Sequence, residues 1–243
     1  MLAIAILALL VAVGQTIQTI TGFGSNALAL SIGAHIYPIN SLIVVLVTLS
    51  TVQVYWLALR NFSKIQWHEL LARIFPACAI GMPIGMLTFY KLNVRYMKLL
   101  LGVFIVATSL AEIYRLSKQN SLSSPLQTLP ALTVLLTAGF IHGAFATGGP
   151  LVVYYSSRQI NEKGAFRATM AMLWVVLDTI LMISYLISGR LNVSTFRVSA
   201  YLFPALLVGI IIGENLHERV EELTFKKIVQ FVLLLAGFSL FVR

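Results

Sequence analysis

Six stretches of this chain are each long and apolar enough to cross a lipid bilayer: Ser41 to Leu59, Leu70 to Tyr90, Tyr96 to Tyr114, Phe166 to Ile187, Phe196 to Leu216 and Phe225 to Val242. A helix needs about 20 largely apolar residues to traverse the hydrocarbon core, and there every backbone polar group must be satisfied within the segment. An all-α, polytopic membrane bundle is the fold class expected. Composition agrees, since only 10% of the residues are charged, against about 25% in a soluble domain. The net charge of +9 comes from Lys and Arg in short gaps between apolar runs. They read as topology determinants and lipid-headgroup contacts, so no nucleic acid is expected as a partner. Leu2 to Val13 reads as a membrane segment and not a cleaved signal, because no Lys or Arg precedes it. The lone Cys78 cannot form an intrachain disulfide.

Two further apolar segments are interrupted. Leu2 to Ile36 is broken by Gly14, Gln15, Gln18, Thr19, Thr21, Gly22, Gly24, Ser25 and Asn26. Leu129 to Tyr155 is broken by Gly139, His142, Gly143, Thr147, Gly148, Gly149 and Pro150. Each opens one half of a duplicated chain. Phe75, Pro76, Ala77, Gly81 and Gly85 match Phe203, Pro204, Ala205, Gly209 and Gly213 at a constant offset of 128 residues. Residues 1–114 therefore read as a first repeat, 115–127 as a linker containing Ser121, Ser123, Ser124 and Pro125, and 128–243 as a second repeat. The paired Gly-x-x-x-Gly faces read as close helix-packing surfaces.

Two topologies fit. If each interrupted segment crosses once, the repeats are parallel and the basic residues divide about evenly. If each enters and leaves on one side as a re-entrant pair, every half has three full crossings and the halves are inverted. One face then collects Arg60, Lys64, Arg73, Arg115, Lys118, Arg158, Lys163, Arg167, Arg219, Lys226 and Lys227. The other keeps Lys91, Arg95, Lys98, Arg190, Arg197 and Arg243. Eleven against six obeys the positive-inside rule, favours the inverted arrangement and puts the N-terminus outside.

Irregular backbone at membrane depth is tolerated where it lines a cavity, and paired helix breaks in corresponding positions of two halves point to a transporter's substrate site. The break Thr21-Gly22-Phe23-Gly24-Ser25-Asn26 offers glycines for close backbone approach and Thr, Ser and Asn as donors. The partner break Ala146-Thr147-Gly148-Gly149-Pro150 has the same form, with Pro150 suited to the first turn of a new helix. Helix N-termini carry partial positive charge and free N–H groups, which suits an anion. The expected substrate-binding residues are Gln15, Gln18, Thr21, Gly22, Gly24, Ser25, Asn26, His142, Thr147, Gly148 and Gly149. Bulky substitution at Gly24 or Gly148 is expected to abolish transport and leave expression intact. The alternative is that these small residues only permit tight packing.

The Gly-Phe-Gly motif at Gly22 to Gly24, the Thr147 to Pro150 motif and the duplicated Phe-Pro-x-x-x-x-Gly-x-x-x-Gly helix resemble the sulfite exporter TauE/SafE family, also called TSUP or DUF81, over nearly the whole chain. Ser25-Asn26 stand where a third glycine is common in the first motif. The resemblance implies a duplicated bundle of about eight helices, an integral multi-pass place in the bacterial inner membrane, and secondary transport, as an exporter, of sulfite, a sulfonate or a related organic anion by alternating access.

Asp178 lies near the centre of its apolar segment, where a carboxylate costs about 2.5–3.5 kcal/mol on insertion scales. It is a candidate for proton coupling, the alternative being a packing role with a bonded partner. His142 precedes the second break and fits either substrate contact or a structural role. A proton- or cation-coupled carrier of another solute is the alternative within transport, and an intramembrane hydrolase using Ser25 and His142 the alternative outside it. There is no Cys pair, His-x-x-x-His or P-loop, so no catalytic residue, metal or cofactor is expected. The partners expected are the bilayer and a small anion, with room for self-association as a homo-oligomer.

Overall fold

The computed structural model describes residues 2–91, 93–117, 127–160, 162–217 and 219, together with 230, 231, 233, 234, 237, 238, 240 and 241. The expected span Phe225 to Val242 and residues 118–126 of the expected linker therefore lie largely outside the described residues. Among the described residues the regular structure is entirely helical. In chain order the helices are α1 (Leu2–Thr21), α2 (Ser25–Gly33), α3 (Ile39–Arg60), α4 (Trp67–Glu69), α5 (Phe75–Lys91), α6 (Val94–Ser117), α7 (Thr128–Phe145), α8 (Gly149–Ser156), α9 (Lys163–Ile187) and α10 (Val193–His217). Helix α6 runs through Ser117, into the stretch whose composition reads as linker.

Among the described residues, seven segments are long and apolar enough to cross a membrane: α1, α3, Trp67–Phe89, Arg95–Tyr114, α7, α9 and α10. The polytopic bundle expected from the apolar runs is thus observed. A π-helical turn, Leu70–Ile74, joins α4 to α5. It sits just before Pro76, which has no N–H to give an i−4 carbonyl, and widening the turn accommodates that loss.

The interrupted segments are narrower breaks than their glycines suggest. Gly14, Gly139 and Gly143 lie inside continuous helices, and the breaks between the two arms are confined to residues 22–24 and 146–148. At the first break Gly22 and Gly24 have φ of +84° and +99°, conformations that glycine takes without strain. The chain then doubles back. A Cβ placed on Gly14 would lie 3.0 Å from the Ser25 carbonyl oxygen, and one on Gly33 would lie 3.2 Å from Leu7 Cδ2. Helix α2 therefore runs antiparallel to α1. Likewise a Cβ on Gly148 would meet the Ala138 oxygen at 2.3 Å, so the chain returns along α7 into α8. With nine and eight residues, α2 and α8 are about 12–14 Å long and cannot span the core. Each segment is an uneven hairpin of one long arm and one short returning arm.

The Gly-x-x-x-Gly faces hold these hairpins. Cβ atoms on Gly81 and Gly85 of α5 would fall 2.0 and 1.9 Å from the Leu136 and Phe140 oxygens of α7. Gly139 and Gly143 of α7 present the reciprocal approach to Cys78 and Met82 of α5. On α10, Gly209 faces Ala12 and Gln15 of α1, and Gly213 faces Thr16 and Thr19. These contacts make α5 parallel to α7 and α10 parallel to α1. The central pair α3 and α9 is antiparallel, with Thr48 against Met182 and Ser50 against Asp178, and Gln66, beyond the end of α3, reaches Thr169 near the start of α9.

Candidate functional site

The two breaks meet at one cavity. It holds about 330 Å³ of space free of protein atoms, mouth included, and is lined by Gln18, Phe23, Gly24, Asn26, Ala27, Ser50, His142, Ala146, Thr147, Gly149, Pro150, Trp174 and Asp178. Ser50 stands midway along α3, so the cavity lies near mid-depth of the bundle. The first turns of α2 and α8 both border it, which places two helix N-termini, and their partial positive charge, at its wall.

A polar chain crosses the cavity from one hairpin to the other. Asn26 Nδ2 donates to the Ala146 carbonyl at 3.2 Å and to Ser50 Oγ at 3.4 Å. Ser50 Oγ donates to Asp178 Oδ2 at 2.9 Å. Asp178 Oδ1 lies 3.0 Å from His142 Nε2, an ion-pair distance without hydrogen-bond alignment, charged on the imidazole side only when His142 is protonated. The His142 ring stacks on Trp174 with centroids 5.1 Å apart and planes 19° from parallel. Trp174 Nε1 in turn donates to the Gly22 carbonyl at 2.8 Å. Helix α9 thus fixes both breaks through two residues one turn apart.

Buried polar atoms normally find partners, so those that do not are informative. Among the described residues, Thr147 Oγ1, both His142 ring nitrogens and Asp178 Oδ1 are buried without a hydrogen bond. These four atoms belong to the cavity wall; Gln15 Oε1, Gln53 Oε1, Ser156 Oγ and Arg167 Nε, equally without a hydrogen bond, lie away from it. Among the described residues no Lys or Arg lines it.

Of the residues expected to bind substrate, Gln18, Gly24, Asn26, His142, Thr147 and Gly149 line the cavity, as does Asp178. The others serve the hairpins. Gln15 gives its backbone carbonyl to Gln53 Nε2 at 2.7 Å and lies against α10. Thr21 Oγ1 sits 2.8 Å from the Ile17 and Phe23 carbonyls and closes the end of α1. Gly22 accepts from Trp174. Ser25 Oγ donates to the Gln18 side chain, so the contacts of Ser25 and His142 do not form a nucleophile–base pair. Gly148 packs on the α7 backbone. A bulky residue there would force the hairpin apart, so the expectation that such a variant would leave expression intact is corrected.

Ser50 and Trp174 carry as much of the site as the expected residues. Ser50 does have a signal, for it stands 128 residues before Asp178, the offset of the repeated Phe-Pro motif, and the two bond each other. Arg167, which the sequence groups with loop charges, is buried. Its Nη1 donates to the Thr19 carbonyl at 3.0 Å and to Glu214 Oε1 at 2.9 Å, while Arg60 approaches Glu214 at 3.4 Å. Its side chain closes the end of α1 below the first break.

A multi-pass helical bundle with two broken-helix hairpins meeting at a buried polar cavity is the architecture of a membrane transporter. The chain belongs to the sulfite exporter TauE/SafE family, whose model matches residues 6–240. It is also similar to the "Probable inner membrane transporter protein TsaS" of Comamonas testosteroni, with 26% identity over 181 residues, 74% of each chain. No solved structure matches it. The protein is an integral multi-pass protein of the inner membrane.

Proposed function

We propose that the chain is a secondary transporter that exports a small sulfur oxyanion or sulfonate, binding it between the tips of the two hairpins. The observation that carries this reading is the cavity wall itself: two helix N-termini with Asn26 and the unpartnered Thr147 hydroxyl. An anion stripped of water needs such donors, and a hydrogen bond to a charged group contributes about 1.5–3 kcal/mol. The family description supports the same substrate class, and the relative supports transport. Two inverted halves, 1–114 and 128–243, rocking about this site would supply alternating access. The exchange of partners, α5 with α7 and α10 with α1, supports that symmetry. In this reading Asp178 couples transport to protons, with His142 as its neighbour.

The test is flux of radiolabelled sulfite in proteoliposomes at matched protein density. Asn26→Ala and Thr147→Ala are each expected to lower it about tenfold or more, the loss of one charge-assisted hydrogen bond. Undiminished flux in the double variant would refute the site. Asp178→Asn is expected to retain flux down an anion gradient but lose acceleration by a pH step. An unchanged pH response would remove Asp178 from coupling.

A further inference from the structure

A second cavity of about 370 Å³ lies beyond the first, between α6 and α8, with Thr108, Glu112, Tyr154 and Gln230 in its wall. Phe23 and Pro150 line both cavities. They form the partition between the polar site and this more apolar chamber. Phe23 is 4% exposed, and its Cβ and ring lie 3.2 and 3.3 Å from where a Cβ of Gly149 would be. The side chain of one hairpin tip is therefore stopped against the backbone of the other.

The backbone around Phe23 is built to turn. It is flanked by Gly22 and Gly24 at φ +84° and +99°. A Cβ on Gly24 would find Ile17 Cγ2, at 3.5 Å, as its nearest neighbour. Among the described residues, the N–H and C=O of Phe23 bond only the Thr21 hydroxyl, at 3.3 and 2.8 Å. No helix needs to unwind for the ring to leave the partition. On the far side, the Arg158 guanidinium sits 3.8 Å over the Tyr154 ring, behind the chamber wall, and Glu112 is the one ionisable carboxyl among the described residues of that wall.

We propose that Phe23 is the barrier between the central site and a second compartment on the anion's path, and that its ring must swing aside for the anion to pass between them. The proposal rests on the anion-carrier reading, and the experiment separates the two. Cys78 is the chain's single cysteine, so a Cys78→Ala background lets thiols be placed at will. Thr108→Cys reports on the chamber and Thr147→Cys on the central site. The probe is the anionic, membrane-impermeant reagent sulfonatoethyl methanethiosulfonate. With Phe23 present, the thiol at position 108 is expected to react readily and that at 147 slowly. Phe23→Ala is expected to speed the reaction at 147 at least tenfold and to change that at 108 by less than twofold. Phe23→Leu, a milder change that keeps apolar bulk, is expected to give an intermediate rate, and it serves if the alanine variant misfolds. Equal rates at 147 with Phe, Leu or Ala at this position would overturn the barrier, as would an unreactive thiol at 108. Sulfite flux is measured on the cysteine-free Cys78→Ala protein in parallel. Absent flux with accelerated labelling would refute the carrier reading and leave the barrier standing; normal flux with unaltered labelling would refute the barrier alone.

Discussion

The two hairpins reach the same cavity by different means. The first reverses on two glycines with positive φ, and its long arm has Gly209 and Gly213 of α10 packed on it but no glycine facing them in return; side chains add the rest of its hold, with Trp174 on the Gly22 carbonyl at the break, Arg167 on Thr19, Gln53 on Gln15, and His217 Nδ1 3.1 Å from the Ile20 carbonyl. The second reverses on a non-glycine, Ala146 at φ +53°, and its long arm is locked by four glycines shared between α5 and α7. Side-chain hydrogen bonds break one at a time, whereas backbones in contact along a helix face separate only together. Glycines on both helices bring α5 and α7 closer than the glycines of α10 alone bring it to α1, so the first hairpin is the one expected to move, with the second as the fixed wall.

The largest effect that follows concerns the locked pair. A Cβ on Gly143 would lie 2.2 Å from the Met82 carbonyl oxygen, but one on Gly14 would lie 3.0 Å from that of Ser25. Overpacking costs about 1–3 kcal/mol, so Gly143→Ala is expected at or above the top of that range and Gly14→Ala near the bottom. Heat-induced loss of folded protein in detergent measures both. Equal losses would break the contrast between the hairpins.

Trp174→Phe sharpens it. The ring still stacks on His142, but the buried Gly22 carbonyl loses its donor, at about 1–2 kcal/mol. The same melting measurement is expected to show that loss, and Trp174→Leu a larger one. A phenylalanine variant as stable as wild type would mean that the indole N–H does not hold the first break.

No larger is the pair of turn substitutions, where opposite signs are expected. Gly24→Ala puts a side chain at φ +99° and should cost about 1–2 kcal/mol. Ala146→Gly removes the same kind of strain at φ +53° and should be neutral or stabilising by under about 1 kcal/mol. Two changes of the same sign would mean that the turns are alike after all.

The helices were legible because length and apolarity are properties of the chain itself. The bounds of α3, α9 and α10 fall within three residues of the apolar runs. The breaks were legible as regions but not as residues. Glycine weakens a helix by only about 1 kcal/mol, so Gly14, Gly139 and Gly143 remain helical where a neighbouring backbone needs the space, and only the positive-φ positions end the helix. Which polar residue faces the cavity was not legible either. In a helix apolar on every side, Gln15 and Gln18 look equivalent, yet one lies against α10 and the other lines the site. Arg167 looked like a loop charge because it follows Lys163 by one turn. Its burial depends on Glu214 and the end of α1, 47 and 148 residues away.

The smallest expected effect concerns how each hairpin hands over to the helix that follows. Helix α3, after the first hairpin, begins at Pro38 with no side-chain cap. Helix α9, after the second, is capped by Glu162, whose carboxylate accepts from the Gly164 N–H at 2.8 Å and from the Ala165 N–H. Those two bonds, Gly164 first, favour the ionised form and hold its pKa below the ordinary value of 4.5. A group whose folded-state pKa is depressed adds stability above its unfolded value, and that stability disappears as pH falls through the folded value. Glu162 is exposed, so the contribution is small, about 0.5 kcal/mol, the low end for a helix cap. Glu162→Gln is therefore expected to melt slightly below wild type at pH 7, with a constant gap down to about pH 4.5. Below that the gap should narrow as the wild-type carboxyl takes up its proton, because both proteins then present a neutral cap. Other carboxylates titrate in both and cancel in the difference. A gap that stays constant to pH 3, or widens on acidification, would show that the charge on Glu162 does not secure the start of α9.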